Sequence, residues 1–268
     1  MISTRVNPWQ IAFRLLIAAL CIFFLAPIAV VVYLAFSPVG FFQFPATGFS
    51  LQWFDRLWQT PALLEGLYRS LILAAVIVPV TGSLATASAI ALKRTQFRGK
   101  NLLDSIFVAP VIVPSLVIGV ALLQVYAATD LHDTWVGVLL AHLIITFPYF
   151  IRSVYVSLAT RDSHLEDAAE SLGAGPWRVF RTITLPSIRP GVISGAIFAF
   201  VISLDEFSVS LFIVGRNTQT APVAIYNYWF ENADPTVAAL SVFIILIGFF
   251  AAWLANRTVS LDRMLMGQ

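Results

Sequence analysis

Apolar residues run almost unbroken through six stretches of this chain, roughly 12–36, 67–92, 103–127, 134–158, 189–214 and 237–257, with polar residues gathered between them. A helix crossing the ~30 Å hydrocarbon core of a bilayer needs about 20 apolar residues, so each stretch predicts one spanning helix. None has a lysine or arginine near its centre. The first run, from about Ile11 to Phe36, exceeds the ~7–15 residues of a signal-peptide core and has no clear small-residue cleavage site, so it reads as an uncleaved span. There is no internal repeat and no low-complexity segment. The expected fold is an all-α, polytopic membrane bundle of about six transmembrane helices, with residues 1–268 forming a single transmembrane domain.

Composition agrees with this reading. Of 268 residues, 59% are hydrophobic and only 11% charged, against roughly a quarter charged in a soluble domain. Such a chain cannot clothe a water-facing surface, so lipid or protein must cover it. Basic residues then set the orientation. Thirteen fall on one face: Arg5, Arg14, Lys93, Arg94, Arg98, Lys100, those from Arg152 to Arg189, Arg257 and Arg263. Only Arg56, Arg69 and Arg216 fall on the other. The positive-inside rule makes the first face cytoplasmic and places both termini there. The opposite loops are rich in interfacial aromatics such as Trp53, Trp58, Tyr228 and Trp229. The lone cysteine, Cys21, excludes an intramolecular disulfide.

Pro110 and Pro114 in the third span remove two backbone donors, so that span is expected to be kinked and shielded. In the second, Gly82, Ser83, Ala85, Ala87, Ala89 and Ala91 allow close helix approach.

The segment 159–188 is unlike the rest, being polar and too long for a connector. Ser163-His164-Leu165-Glu166 reads as a capping box. It predicts a helix from about His164 to Leu172, ended by a left-handed Gly173. Pro176 suits the first turn of a second short helix, running through about Thr182 and closed by Leu185-Pro186.

Asp167-Ala168-Ala169, three residues, Gly173, nine residues, then Ile183-Thr184-Leu185-Pro186 resembles the EAA loop of binding-protein-dependent ABC importer permeases, with Asp in place of the family's first Glu. Phe49 to Phe54, the Pro-rich third span, His142 to Arg152, and Ser203-Leu204-Asp205-Glu206 are similar to the spermidine/putrescine-type branch. Where that branch often has Asn before Ser-Leu at the start of the second span, this chain has Arg69. The resemblance implies the type I (MetI-like) importer fold, with a core at about 67–258, the first span alongside, and a coupling-helix loop at about 163–186. It implies a bacterial inner-membrane subunit that moves a small polar solute, a polyamine, into the cytoplasm by alternating access. The implied partners are an ABC ATPase dimer, a second and non-identical permease, and an external solute-binding protein, with no nucleic acid. Glu166, Asp167, Ala168, Ala169, Gly173, Ile183, Leu185 and Pro186 are the expected ATPase-coupling residues. Small Ala168 and Ala169 allow close approach, and Glu170, Arg178 and Arg181 add polar contacts.

Asp205 and Glu206 lie within the fifth span. An ionised group costs at least ~2.5 kcal/mol at the bilayer centre, so such residues face a cavity or a partner. Neighbours on a helix point about 100° apart. Glu206 would share a stripe with Gly195, Ala199, Ser203 and Ser210, while Asp205 would line up with Phe198, Ser208 and Phe212. The expected translocation path therefore comprises Glu206, Ser203 and Ser210, with Asp205 at a helix contact or gate; structural pairing of both acids is the alternative. His142 reads as a packed, hydrogen-bonded histidine rather than a ligand.

No Gly-x-x-x-x-Gly-Lys-Ser/Thr sequence is present, so nothing here cradles ATP phosphates. The chain is expected to be no enzyme and to bind no cofactor or metal, with ATP and magnesium on a separate ATPase. Alternatives are the same machine carrying 4-aminobutyrate, an opine, an aminophosphonate or ferric ion, and, in another class, an ATP-independent carrier or channel.

Overall fold

The computed structural model describes residues 8–41, 48–160 and 164–265. Among these residues all regular structure is helical, in chain order α1 (Pro8–Ala35), α2 (Gln52–Trp58), α3 (Pro61–Arg94), α4 (Lys100–Ile112), α5 (Ser115–Thr129), α6 (Trp135–Thr160) and α7 (His164–Ser171). Then come α8 (Pro176–Val179), a π-helical turn (Phe180–Thr184), α9 (Leu185–Asp205), α10 (Ser210–Ile213), α11 (Ala221–Asn232) and α12 (Thr236–Leu265). Among the described residues five helical segments are long and apolar enough to cross a membrane, and α4 with α5 makes a sixth if the pair counts as one broken span.

Two spans depart from expectation. The kink foreseen at Pro110 and Pro114 is a break of 107° between α4 and α5. Pro114 disfavours helix at the residue before it, and Val113 is extended, with φ −80° and ψ 130°. Among the described residues the break itself is left exposed at 111–114; α4 buries no residue, and α5 buries only Gly119 and Tyr126. The fifth span was expected at 189–214, after a stop at Leu185-Pro186. Instead one helical run extends from Pro176 to Asp205. The π turn explains the continuity. Its wider loop gives Leu185 N–H a bond to Phe180 C=O, which makes room for the ring of Pro186 and its missing donor. The run then ends at Asp205, because Glu206 is extended, with φ −69° and ψ 106°.

The chain divides into two compact units. The smaller comprises Met1–Pro61 and Tyr228–Leu246. The ring of Phe36 lies 5.1 Å from Phe49 and 5.0 Å from Phe54, and Phe54 and Trp58 each meet Phe243 at 6.0 Å. Trp53 Nε1 donates to Ser37 C=O at 2.8 Å. Asp234 accepts from Arg56 at 3.2 Å, from Tyr228 and from Thr236 N–H. The span window of α1 is otherwise unburied.

The larger unit, Ala62–Asn227 with Ile247–Gln268, holds two apolar cores. One gathers Ala85, Ala89 and Leu92 of α3, Phe150, Val154 and Leu158 of α6, and Ile188 and Ala199 of α9. Phe150 is the wedge. A Cβ at Gly82 would fall 2.9 Å from its ring and one at Gly195 2.7 Å, so the absence of side chains there is what lets three helices close. The other core joins Leu73, Tyr126, Val138, Ala141, Ile145, Val209 and Ile213.

Asp133 fastens two loops of this unit. Its carboxylate accepts from Gly215 N–H at 3.0 Å, Asn217 Nδ2 at 3.0 Å, Thr218 N–H at 3.1 Å and Thr218 Oγ1 at 2.7 Å. Burial alone would raise its pKa, but the Thr218 hydroxyl and the backbone N–H groups outweigh it, and the net shift is downward. A lowered folded value contributes stability that is complete above the ordinary aspartate value of about 3.9 and is lost as pH falls through the folded one. Unfolding of the detergent-solubilised chain should therefore show Asp133→Asn less stable at about pH 7, with the gap to the parent closing toward about pH 3. A gap independent of pH would remove Asp133 as its source.

Candidate functional site

The first candidate region is the loop between α6 and α9. Ser163, the proposed cap, lies outside the described residues. Glu166 is 8% exposed and bonded across the fold. Arg94 Nη2, at the end of α3, donates to its carboxylate at 2.7 Å and to Thr184 Oγ1 at 3.1 Å. The Thr184 hydroxyl donates to the same carboxylate oxygen. One acid thus ties α7 to the end of α3 and to the π turn that leads into α9. The bonds are charge-assisted, and although Arg94 is partly exposed the Glu166 carboxylate is withdrawn from water, so they hold more firmly than an ion pair exposed on both sides.

The end of α7 is a Schellman motif: Ala174 N–H bonds Ala169 C=O at 3.0 Å and Gly173 N–H bonds Glu170 C=O at 2.9 Å. Gly173 has φ +82°, with open space where a Cβ would stand. Asp167, Ala168, Glu170, Arg178, Arg181, Leu185 and Pro186 are exposed, while Ala169 and Ile183 are half-buried. Three apolar side chains project beside them: Leu165, Leu172 and Trp177, 57%, 88% and 71% exposed. The motif residues therefore divide. Glu166 looks inward, and the remainder, with these knobs, form an outward surface.

The second region is the end of α9. The stripe of Gly195, Ala199 and Ser203 expected along a path is buried against α6, and Ser203 and Ser210 are buried too. Small residues there serve helix packing. Glu206 leaves the helix, so the 100° argument fails for it; its carboxylate accepts Val209 N–H at 2.8 Å and secures the turn into α10. Asp205 ends α9 exposed, on the side that also carries Val201 and Phe198. Phe198 meets Tyr149 of α6 with ring centroids 6.4 Å apart. Beyond them lies a groove of about 400 Å³ lined by Arg152, Ser153, Ser157, Gly191 and Ser194 among others. Arg152 is paired with Asp104 at 3.0 Å.

Sequence reasoning missed several of these residues. Arg94 counted only as a basic residue of a loop, and Thr184 fell on the variable position of the motif. Hydroxyls inside apolar spans were the available signal for the network around His142 described below.

Residues 80–259 match the family described as the binding-protein-dependent transport system inner membrane component. This chain belongs to that family. It is a membrane permease subunit of an ABC importer, and its fold is that of MetI-like permeases. The permease is 30% identical over 262 residues to the putrescine transport system permease protein PotI of Escherichia coli (strain K12), covering 94% of this chain and 92% of that one. It is 32% identical over 203 residues to the spermidine/putrescine transport system permease protein PotC of Haemophilus influenzae, covering 75% and 78%. A bacterial ABC transporter that imports the acidic polysaccharide alginate shares the permease's fold with a TM-score of 0.71 at 16% identity, covering 93% of this chain and 96% of that one.

Proposed function

We propose that this permease carries a polyamine such as putrescine or spermidine inward, and that its α6–α9 loop transmits the work of a separate ATPase. The carrying observation is the Arg94–Glu166–Thr184 knot. A loop tied to both α3 and α9 can move two spans as one body when it is pushed. Leu165, Leu172, Trp177, Asp167 and Ala168 supply an apolar centre with a polar rim, the composition of a protein interface. In this reading they seat in the ATPase, which binds ATP and magnesium, while the permease itself holds no cofactor. Gly173 gives the turn that aims α7, and Ile183, Leu185 and Pro186 set the entry into α9.

The importer core is about residues 67–258, with the coupling loop at about 163–186 and both termini in the cytoplasm. A non-identical second permease covers the break between α4 and α5, since interrupted backbone is tolerated at membrane depth only beneath protein or beside water. An external solute-binding protein delivers the cargo. The path runs along the exposed side of α9, from Asp205 past Phe198 and Tyr149 to the serine-lined groove. A carboxylate attracts an ammonium ion, and aromatic faces bind cations by their quadrupole. The relatives named above favour polyamines, whereas the fold does not choose a cargo, since the alginate importer shares it.

The test is uptake of labelled putrescine and spermidine in cells with and without this chain, energised and ATP-depleted. Loss of an ATP-dependent uptake on deletion is the expected result. Uptake of both amines unchanged by deletion would overturn the polyamine cargo, and uptake that survives ATP depletion would overturn the coupling.

A further inference from the structure

His142 sits on α6 with no exposed surface, and both ring nitrogens are engaged. Nδ1 lies 3.0 Å from Ser203 Oγ on α9, and Nε2 lies 3.2 Å from Ser210 Oγ, the first residue of α10. The two serines bracket the break at Glu206. A neutral imidazole has one donor and one acceptor nitrogen, and serine hydroxyls rotate to match either, so one ring satisfies both. The network continues: Thr146 Oγ1 donates to His142 C=O at 2.7 Å and lies 3.0 Å from Thr81 Oγ1 of α3. All five residues are buried.

Geometry links this contact to the break. In an unbroken helix, residues seven apart are separated by about 10.5 Å along the axis. An imidazole with a hydrogen bond at each nitrogen reaches roughly 8 Å between its two partners. In an unbroken helix both serine side chains would have to lean toward each other along the axis to come within that reach, so the contact favours a span interrupted between them. We propose that His142 is a positioning residue of transport: it clips the fifth span in its broken form and so sets Asp205 at the exposed end of α9. The clip is drawn from geometry alone, while its bearing on transport rests on the importer reading above.

Two readouts test it. In a Cys21→Ser background, a cysteine introduced by Ser208→Cys reports on the break through its rate of labelling by a charged thiol reagent. His142→Leu should shift that rate about fivefold or more. His142→Gln, whose amide keeps a donor and an acceptor, should stay within about twofold of the parent. Uptake kinetics should follow, with KM rising about tenfold in His142→Leu, membrane levels unchanged, and partial recovery in His142→Gln. An unchanged labelling rate in His142→Leu would overturn the clip, and a shifted rate with unchanged uptake would overturn its role in positioning. Should His142→Leu fail to accumulate, Ser203→Ala and Ser210→Ala each remove one arm and are expected to shift labelling in the same sense; no shift in either overturns the clip. If the parent takes up no amine, the cargo reading fails while labelling still decides the clip.

Discussion

Arg94→Ala should abolish most ATP-dependent uptake, by about tenfold or more, while leaving the basal ATPase activity of the assembled importer largely intact. The substitution takes the Arg94 cation away from the largely buried Glu166 carboxylate beside Thr184. Breaking a buried ion pair by removing one partner costs about 3–5 kcal/mol. The guanidinium is partly exposed, with 37% of its side-chain surface accessible, so the loss belongs below that range, at about 2 kcal/mol. That is still ample to free α7 from α3 and the π turn. The informative control is Arg94→Ala with Glu166→Gln. Neutralising Glu166 should recover much of the stability, because the desolvation penalty of its charge goes with it, but it should not recover transport, because the tie to α3 is still missing. A double variant that transports as well as the parent would show that the knot is only a stability element. Uptake unchanged in Arg94→Ala would remove it from coupling altogether.

Asp205→Asn should raise the KM for a diamine by about 10- to 100-fold, whereas Glu206→Gln should change uptake by no more than about threefold. This ranking reverses what helical periodicity predicted. Asp205 stands exposed at the end of α9, and a charge-assisted hydrogen bond to an ammonium contributes about 1.5–3 kcal/mol, equivalent to that range of affinity. Glu206 already accepts Val209 N–H, and a glutamine oxygen can do the same. Transport assays on the two variants, each normalised to membrane level, decide the matter. A large loss in Glu206→Gln with none in Asp205→Asn would restore Glu206 to the path and remove Asp205.

Much of the fold and part of the site could be read from the chain alone. Apolar run length located the spans, since the bilayer demands it whatever the neighbours are. Pro114 marked the third-span break, although the bend exceeds a kink. The positive φ of Gly173 and the helix before it followed from capping rules that involve only a few adjacent residues. The spacing from Asp167 to Pro186 that resembles the family loop was visible for the same reason: it is local.

What the sequence hid lies at long separation or against a local rule. Arg94 and Glu166 are 72 positions apart, Asp133 and Thr218 are 85, and His142 and Ser210 are 68; nothing in a single chain's periodicity pairs them. Leu185-Pro186 looked like a stop because proline lacks an N–H, and only the π turn shows how the helix passes through it. Glu206 looked helical because its neighbours are apolar and helix-compatible. Apolar run length and capping chemistry, acting over a few residues, determined the spans and the Gly173 turn. Burial of groups that must find hydrogen-bond partners in the assembled bundle decided where the fifth span breaks, which acid stays exposed, and which loop residue is held inside.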